Sequence, residues 1–278
     1  MTNRLLSVNF MRLRKSRLFW GGVLFMAALA VMVVLNTYFD QREYGGSVCV
    51  DGVLGGFALF SGIVCAVFGS LFLGTEYKDG TIRNKLSVGH SRFAVYLSNL
   101  LVMYVGSILL CAAYLLPCCA LGIPLLGGFQ TDGWTLLLWG AGNLFMLLAV
   151  SGILTCMGML ISSKDAAATA AILGAFIMLM CSVYIYSRLS EPEYYEGQTY
   201  VDEAGEIITE PPVRNINYVE GTEREVYELL NRFLPTGQAL HYQSVDGEGV
   251  AVQMGYALII FAGSTGIGVW CFKKKDIK

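Results

Sequence analysis

This 278-residue sequence is short of charge. Asp, Glu, Lys and Arg make up 14% of it, whereas soluble globular proteins carry about 25%. Its uncharged stretches have no polar face at helical period, which excludes a soluble helical domain. Six stretches contain no Asp, Glu, Lys, Arg or His, and they are Leu18–Tyr38, Gly52–Leu73, Phe93–Leu121, Trp134–Ser163, Ala166–Ser187 and Val250–Phe272.

Residues that common catalytic and nucleotide sites need are also scarce. The dipeptide Gly-Lys does not occur, so the sequence lacks the G-x4-G-K-S/T loop that cradles nucleotide phosphates. The two histidines, His90 and His241, are too few for a zinc-protease helix, and neither lies in an apolar run where an intramembrane Ser–His pair would need it. Carriers driven by protons or sodium keep carboxylates within the membrane, and the uncharged runs have none. A membrane enzyme is therefore the least favoured class, and any energy source must lie outside this chain.

The length of the six runs predicts membrane-spanning helices. A helix of about 20 apolar residues crosses the ~30 Å hydrocarbon layer, and a helix satisfies its own backbone hydrogen bonds there. We therefore predict an all-α membrane protein with six transmembrane helices. The uncharged stretch over residues 93–130 is too long for one span and contains Pro117, Gly122 and Pro124. We expect the third helix to end near Pro117 and an apolar outer turn to follow.

Basic residues are divided unevenly between the two sides of the predicted bundle. One side receives 14 of the 19 basic residues but only 4 of the 21 acidic ones. Because Lys and Arg accumulate on the cytoplasmic side, both termini and the loop over residues 74–92 are expected there. The 14 basic residues are Arg4, Arg12, Arg14, Lys15, Arg17, Lys78, Arg83, Lys85, Arg92, Lys164, Lys273, Lys274, Lys275 and Lys278.

Two segments lie outside the predicted spans. Residues 1–17 carry five basic residues, with Leu6, Phe10 and Leu13 on one helical face. They are either a helix on the inner leaflet or an unstructured basic flank. Residues 190–249 form an outer insertion between the fifth and sixth spans, with 13 acidic and three basic residues. The insertion is either a small ordered cap or a solvated acidic loop.

Two local elements are predicted within the insertion. Residues 198–209 read QTYV-DEAG-EIIT, a pattern that favours a hairpin. Thr222–Glu225 is a capping-box pattern, which predicts a helix from Thr222 that ends at Pro235 and Gly237. One face of that helix would carry Val226, Leu229, Leu230 and Phe233.

Small and amide side chains within the spans suggest helix packing. Small residues recur every four positions in the second span, and such stripes let helices approach closely. We favour packing within the chain over a dimer seam. The stripe consists of Ala58, Gly62, Ala66, Ser70 and Gly74. The amides that we place in span interiors are Asn143 and Gln253, and each is expected to bond a neighbouring helix.

The loop between the second and third spans carries a recognisable pattern. Residues 74–92 read GTEYKDGTIRNKLSVGHSR. They resemble the cytoplasmic loop of type-2 ABC exporter permeases, which often reads E-x3-G-T-I-R-x2-L-x4-S-R. The matching residues are Glu76, Gly80, Thr81, Ile82, Arg83, Leu86, Ser91 and Arg92. Gly89-His90 stands where many members have a proline. The number of spans, the inside termini and the outer insertion also resemble that family.

The resemblance implies that this loop is a coupling helix, which docks in a groove of a separate ATP-binding subunit. The implied coupling residues are Glu76, Tyr77, Gly80, Thr81, Ile82, Arg83, Lys85, Leu86, Ser91 and Arg92. Gly80 permits a tight turn before a short surface helix, and Ile82 and Leu86 would offer an apolar contact face. Arg83, Lys85 and Arg92 could pair with partner acids or lipid phosphates, and Glu76 with Lys78, Arg83 or a basic residue of the first helix. Alternatively, these charges only fix the topology and contact headgroups.

The sequence therefore predicts the membrane-spanning subunit of an ABC exporter in the bacterial cytoplasmic membrane. Its expected partners are the lipid bilayer, a second identical or related permease chain, and separate ATP-binding subunits that hold ATP and Mg. No nucleic acid, enzymatic activity or cofactor is expected for this chain. One alternative is an immunity protein whose acidic insertion captures a cationic antimicrobial peptide without transporting it. Another is a channel-like or structural membrane protein.

Overall fold

A computed structural model of the protein describes residues 2–196, 199–201, 207–209 and 211–276. The chain is 81% helical. Among the described residues, six helices are long and apolar enough to cross a membrane, which confirms the predicted all-α fold with six spans. The spanning helices are α2 (Arg17–Tyr44), α4 (Gly56–Lys78), α6 (Arg92–Leu126), α7 (Gly133–Leu160), α8 (Lys164–Ser190) and α11 (Val250–Lys274).

The remaining elements are short and lie at the two ends of the bundle. The shorter helices are α1 (Thr2–Lys15), α3 (Asp51–Leu54), α5 (Thr81–Ser87), α9 (Gly221–Phe233) and α10 (Pro235–His241). Two antiparallel strand pairs, β1 with β4 and β2 with β3, lie in the insertion. The strands are β1 (Tyr194–Tyr195), β2 (Thr199–Val201), β3 (Ile207–Thr209) and β4 (Val213–Arg214).

Helix α4 is at the centre of the bundle. It packs against α2, α6, α7 and α8, while α7 runs along α11 and α2 along α6. Glycine permits the close approach of α7 to α11, because a Cβ added at Gly152 would lie 2.6 Å from Ser264 Oγ. Helices α4 and α7 are the most buried of the six spans.

The small-residue stripe of α4 faces the interior of the chain at most of its positions. Ala58, Ala66 and Ser70 are buried, and Gly74 lies against the first residue of α8, Lys164. Gly62 differs, because a Cβ added there would meet nothing within 4 Å; it borders an apolar cavity between α4, α7, α8 and α10. The buried positions therefore pack within the chain.

The predicted end of the third span near Pro117 is wrong. Helix α6 continues through Pro117 and Pro124 to Leu126. Proline removes one backbone donor but does not end a helix that packing holds in place. That packing comes from Tyr114, which is buried and whose hydroxyl donates to the Val53 carbonyl at 2.8 Å. The 35 residues of α6 measure about 52 Å at 1.5 Å per residue, so α6 is longer than one span requires.

The bundle has two chemically different ends. We call the end that carries α1, α5 and the C-terminus of α11 the basic end, and the opposite end, where α9 and α10 lie, the insertion end. Leu5, Ile82 and Phe272 belong to one buried cluster at the basic end, so α1, α5 and the end of α11 meet there. At the insertion end, Trp139 Nε1 donates to the Tyr242 carbonyl at 3.0 Å, which anchors the segment after α10 to α7.

The insertion contains both predicted elements, with different boundaries. Strands β2 and β3 pair as the predicted hairpin requires, with Tyr200 opposite Ile208; residues 197, 198, 202–206 and 210 lie outside the described ranges. Helix α9 begins at Gly221 without a side-chain cap, so the predicted capping box is wrong. Helix α9 ends at Phe233, whose ring contacts Tyr256 of α11 at a centroid distance of 5.7 Å.

Candidate functional site

The turn between α4 and α5 has the geometry that the sequence predicts. Gly80 adopts a left-handed conformation, with φ +63°, and separates the two helices. A residue with a Cβ is disfavoured in this region of backbone space, whereas glycine is not. The Thr81 hydroxyl donates to the Glu76 carbonyl at 3.0 Å, which satisfies an acceptor near the end of α4. Helix α5 therefore leaves α4 at a fixed angle.

The Glu76 side chain is fully buried at this turn and carries two ion pairs. Arg12 of α1 and Lys85 of α5 both donate to its Oε1 atom. The Glu76 side chain is 0% exposed, against 26% for Arg12 and 10% for Lys85. Burial lowers the pKa of the Lys85 ammonium group, and the Glu76 carboxylate opposes that shift. A buried charge is tolerated only when it is paired and hydrogen-bonded, so Glu76 holds three helices together.

Two buried amides complete this arrangement. Asn99 of α6 donates to Glu76 Oε2 at 2.8 Å. Asn9 of α1 accepts from Lys85 Nζ at 2.9 Å and donates to Asn99 Oδ1 at 2.8 Å. We call Asn9, Arg12, Glu76, Lys85 and Asn99 the Glu76 cluster. It joins α1, α4, α5 and α6 at the basic end of the bundle.

Helix α5 has one buried and one exposed face. Ile82 is 1% exposed and contacts the chain's own core beside Val95 and Phe272. This corrects the expectation that Ile82 forms an outward contact face, and Leu86 packs against the same cluster. Helical periodicity places the other side of α5 in solvent. The exposed residues of α5 and the turn after it are Arg83, Asn84, Ser87, Val88 and Gly89.

A second set of contacts joins α6, α4 and α7 to the C-terminal end of α11. Arg92 Nη1 donates to the carbonyls of Phe272 at 2.9 Å and Lys273 at 3.2 Å. A cation there satisfies free carbonyls and favours the negative end of the helix dipole. Lys275 Nζ donates to Tyr77 Oη at 2.8 Å and to the Met159 carbonyl at 3.0 Å. Burial lowers the pKa of Lys275 to about 8.

The motif residues thus occupy distinct positions. Glu76, Ile82 and Lys85 lie inside the fold, Gly80 and Thr81 shape the turn, and Arg83 is exposed. Ser91 caps α6, because its Oγ accepts from Ala94 N at 3.2 Å. Tyr77 and Arg92 hold the end of α11. Three partners were expected for Glu76: Lys78, Arg83 or a basic residue of the first helix. Glu76 pairs with Arg12 of the first helix, and within the described residues it forms no ion pair with Lys78 or Arg83.

Sequence reasoning missed the amides of the Glu76 cluster. Asn99 lies in the third apolar run, but nothing local distinguishes it from a surface amide near the membrane interface. Asn9 lies in the predicted basic flank, and its spacing of four from Leu5 and Leu13 is the signal that could have placed it on the buried face. The two expected interior amides behave otherwise: Asn143 donates to Trp139 of its own helix, and no side-chain bond of Gln253 is found among the described residues.

The sequence matches a known protein family. The family described as "ABC-2 family transporter protein" matches residues 5–188, which is 184 of the 278 residues. The chain belongs to this ABC-2 transporter family. The match runs from the first turn of α1 to the last turn of α8 and includes the whole Glu76 cluster. No curated protein matches the sequence.

Membership of the ABC-2 family indicates the role of the helical bundle and the kind of partner that it has. The chain is a multi-pass membrane protein and a permease subunit of an ABC transporter. In this family the ATPase is generally a separate subunit, which implies an ATP-binding partner. The basic end carries the loop that resembles a coupling helix, so it is the candidate site for contact with that partner.

Proposed function

We propose that this chain is the permease of an ABC exporter and forms a translocation path as a dimer with a second permease chain. Separate ATP-binding subunits hold ATP and Mg and drive the transport cycle. The permease itself carries no catalytic residue, cofactor or metal. The basic end faces the cytoplasm of a bacterial cell, and the insertion over residues 190–249 lies outside the cytoplasmic membrane.

The observation that carries this proposal is the two-faced packing of α5. Its inner face is fixed to the bundle by Ile82 and by the Lys85–Glu76 ion pair, whereas Arg83 and Asn84 face solvent. A helix that only linked two spans would not need an apolar anchor and a buried ion pair to hold it in place. A helix held in this way favours docking of a partner, because little backbone freedom is then lost on binding.

The Glu76 cluster supports a route for force from α5 into the spans. A push on α5 reaches α4 through the turn at Gly80, α1 through Arg12 and α6 through Asn99. Buried charged bonds of this kind keep their partners together, since separating them leaves an unpaired charge. We therefore assign Arg83 to direct contact with the ATP-binding subunit. The remaining implied coupling residues act through the position of the helix, and these are Glu76, Tyr77, Gly80, Thr81, Ile82, Lys85, Leu86, Ser91 and Arg92.

Co-expression with a candidate ATP-binding subunit tests the proposal. Arg83→Glu reverses an exposed charge without touching the core, so the chain should insert normally but lose co-purification and substrate-stimulated ATP hydrolysis. Lys273→Glu, an equal change at the basic end but outside α5, is the matched control and should leave both unchanged. Normal coupling in Arg83→Glu would overturn the docking role.

A transport assay in proteoliposomes that contain the permease together with its ATP-binding subunit separates export from capture. Exporter function predicts ATP-dependent movement of cargo across the membrane. If a cationic peptide bound to the insertion end but did not move on addition of ATP, the chain would be a capture protein and the exporter proposal would be wrong.

A further inference from the structure

A groove between α1 and α4 at the basic end combines apolar and cationic groups. Met11 and Leu18 are 56% and 43% exposed beside it. Leu71 of α4 lies on its other side, and Lys15 and Ser16 lie where α1 meets α2. Exposed apolar side chains beside lysine are unfavourable in water, but they match the boundary between lipid chains and headgroups.

The charge of this region is strongly positive. Arg14, Lys15 and Arg17 lie within four consecutive positions, and all three are exposed. None of them forms a salt bridge within the described part of the chain. Arg12 borders the groove but is bonded to Glu76, and Asp79 is the carboxylate at the rim. Among the described residues that line the groove, Lys15 is the cation without an ion-pair partner, and together with the neighbouring Arg14 and Arg17 it outweighs that single acid. The region around the groove is therefore complementary to an anion.

The position of the groove along the bundle distinguishes a lipid from a protein partner. Trp20 is 53% exposed, and its Nε1 donates to the Arg14 carbonyl at 2.8 Å. Exposed tryptophan is typical of the membrane–water interface. The side of α2 that carries Leu18 also carries Phe25, seven positions later, which is 49% exposed. An occupant must therefore be anionic at one end and apolar at the other.

We propose that this groove binds one anionic phospholipid of the leaflet at the basic end. The phosphate lies beside Lys15 and the Ser16 hydroxyl, and one acyl chain lies along Leu18 and Leu71. Because Arg12 and Thr75 at the groove wall also bond to each other, at 3.3 Å, a bound lipid supports the contact of α1 with α4. The lipid site does not depend on the transport role and would remain if that role were wrong.

Native mass spectrometry of the full-length chain in detergent tests this site. Titration with phosphatidylglycerol should show one tight lipid, with phosphatidylcholine weaker. Lys15→Gln should weaken phosphatidylglycerol binding about five-fold, since one basic residue near an anionic surface is worth about that factor. Lys273→Gln, at the same end but outside the groove, is the control and should bind as the unchanged chain does.

The possible results separate lipid from other ligands. Equal binding of the two lipids, or equal weakening by Lys15→Gln and Lys273→Gln, would overturn the proposal. Glycerol 3-phosphate, which has the headgroup charge but no acyl chain, should not compete with phosphatidylglycerol at similar concentration. Competition by it would show a site for free phosphate and would also overturn the lipid assignment.

Discussion

Glu76 of α4 forms a buried ion pair with Arg12 of α1, 64 residues earlier in the chain. This contact converts an N-terminal amphipathic segment into part of the bundle. It also places a carboxylate between two cations at the turn that leads into α5. The basic end is thus built around one acid, which the sequence pattern alone places only at the end of a span.

We expect Glu76→Gln to destabilise the protein by about 3 kcal/mol or more, because Arg12 and Lys85 lose their counter-charge while staying partly buried. Thermal unfolding of the purified chain in detergent measures this as a lowered Tm. Asp79→Asn, three residues later at an exposed position, removes the same charge from the surface and should change Tm little. Equal shifts in the two variants would show that the ion pairs contribute no stability.

Gly80→Ala should cost about 1–2 kcal/mol, because alanine is disfavoured at a φ of +63°. The strain falls on the turn that orients α5, so coupling to the ATPase should weaken together with stability. Gly62→Ala is the matched control. Its Cβ would meet nothing within 4 Å, and alanine favours a helix by up to about 1 kcal/mol. A destabilised Gly62→Ala with a normal Gly80→Ala would contradict this account of the turn.

Gly55→Ala should loosen the insertion from the bundle. An added Cβ at Gly55 would lie 2.2 Å from the Gln243 carbonyl and 2.4 Å from that of Tyr242, and backbone atoms cannot move aside as a flexible side chain can. Limited proteolysis should therefore cleave the insertion faster in this variant. Gly140→Ala, a spanning-helix position with nothing within 4 Å of the new Cβ, should be cleaved at the unchanged rate. Identical cleavage of both variants would mean that Gly55 does not hold the insertion.

The orientation of the bundle is open to direct labelling. The positive-inside rule predicts that a cysteine at Asn84 reacts with a membrane-impermeant thiol reagent only after the cells are permeabilised. A cysteine at Tyr195, exposed at the insertion end, should react in intact cells. Native cysteines are replaced in both variants beforehand. If the cysteine at position 84 were labelled in intact cells, the basic end would lie outside the cell and the predicted orientation would be wrong.

The spans were predictable because the length of an apolar run is a local property of the sequence. A run of about 20 apolar residues matches the thickness of the hydrocarbon layer when it forms a helix. The end of α6 was not predictable from the sequence, since Pro117 ends a helix only where tertiary packing does not hold the helix together. Here Tyr114 and its bond to the α3 segment decide the outcome. The sequence pattern identifies helix-breaking residues but not the tertiary packing that outweighs them.

The sequence predicted the turn between α4 and α5 but not the side-chain contacts of α5. Gly80 has a conformational signature, so the break between α4 and α5 follows from the residue type. The direction of Ile82 does not, because an i, i+4 pair shows only that two residues share a face. That face packs onto α6 and α11 instead of a partner, which depends on long-range neighbours that no local spacing encodes.

The most direct test of the central claim is photo-cross-linking from the outer side of α5. A photoreactive residue at Val88, which is 74% exposed, should form an adduct with the co-expressed ATP-binding subunit, and nucleotide should change its yield. The same residue at Tyr195, at the opposite end, should form none. No adduct from position 88, or equal adducts from both positions, would contradict the claim that the ATPase docks on α5.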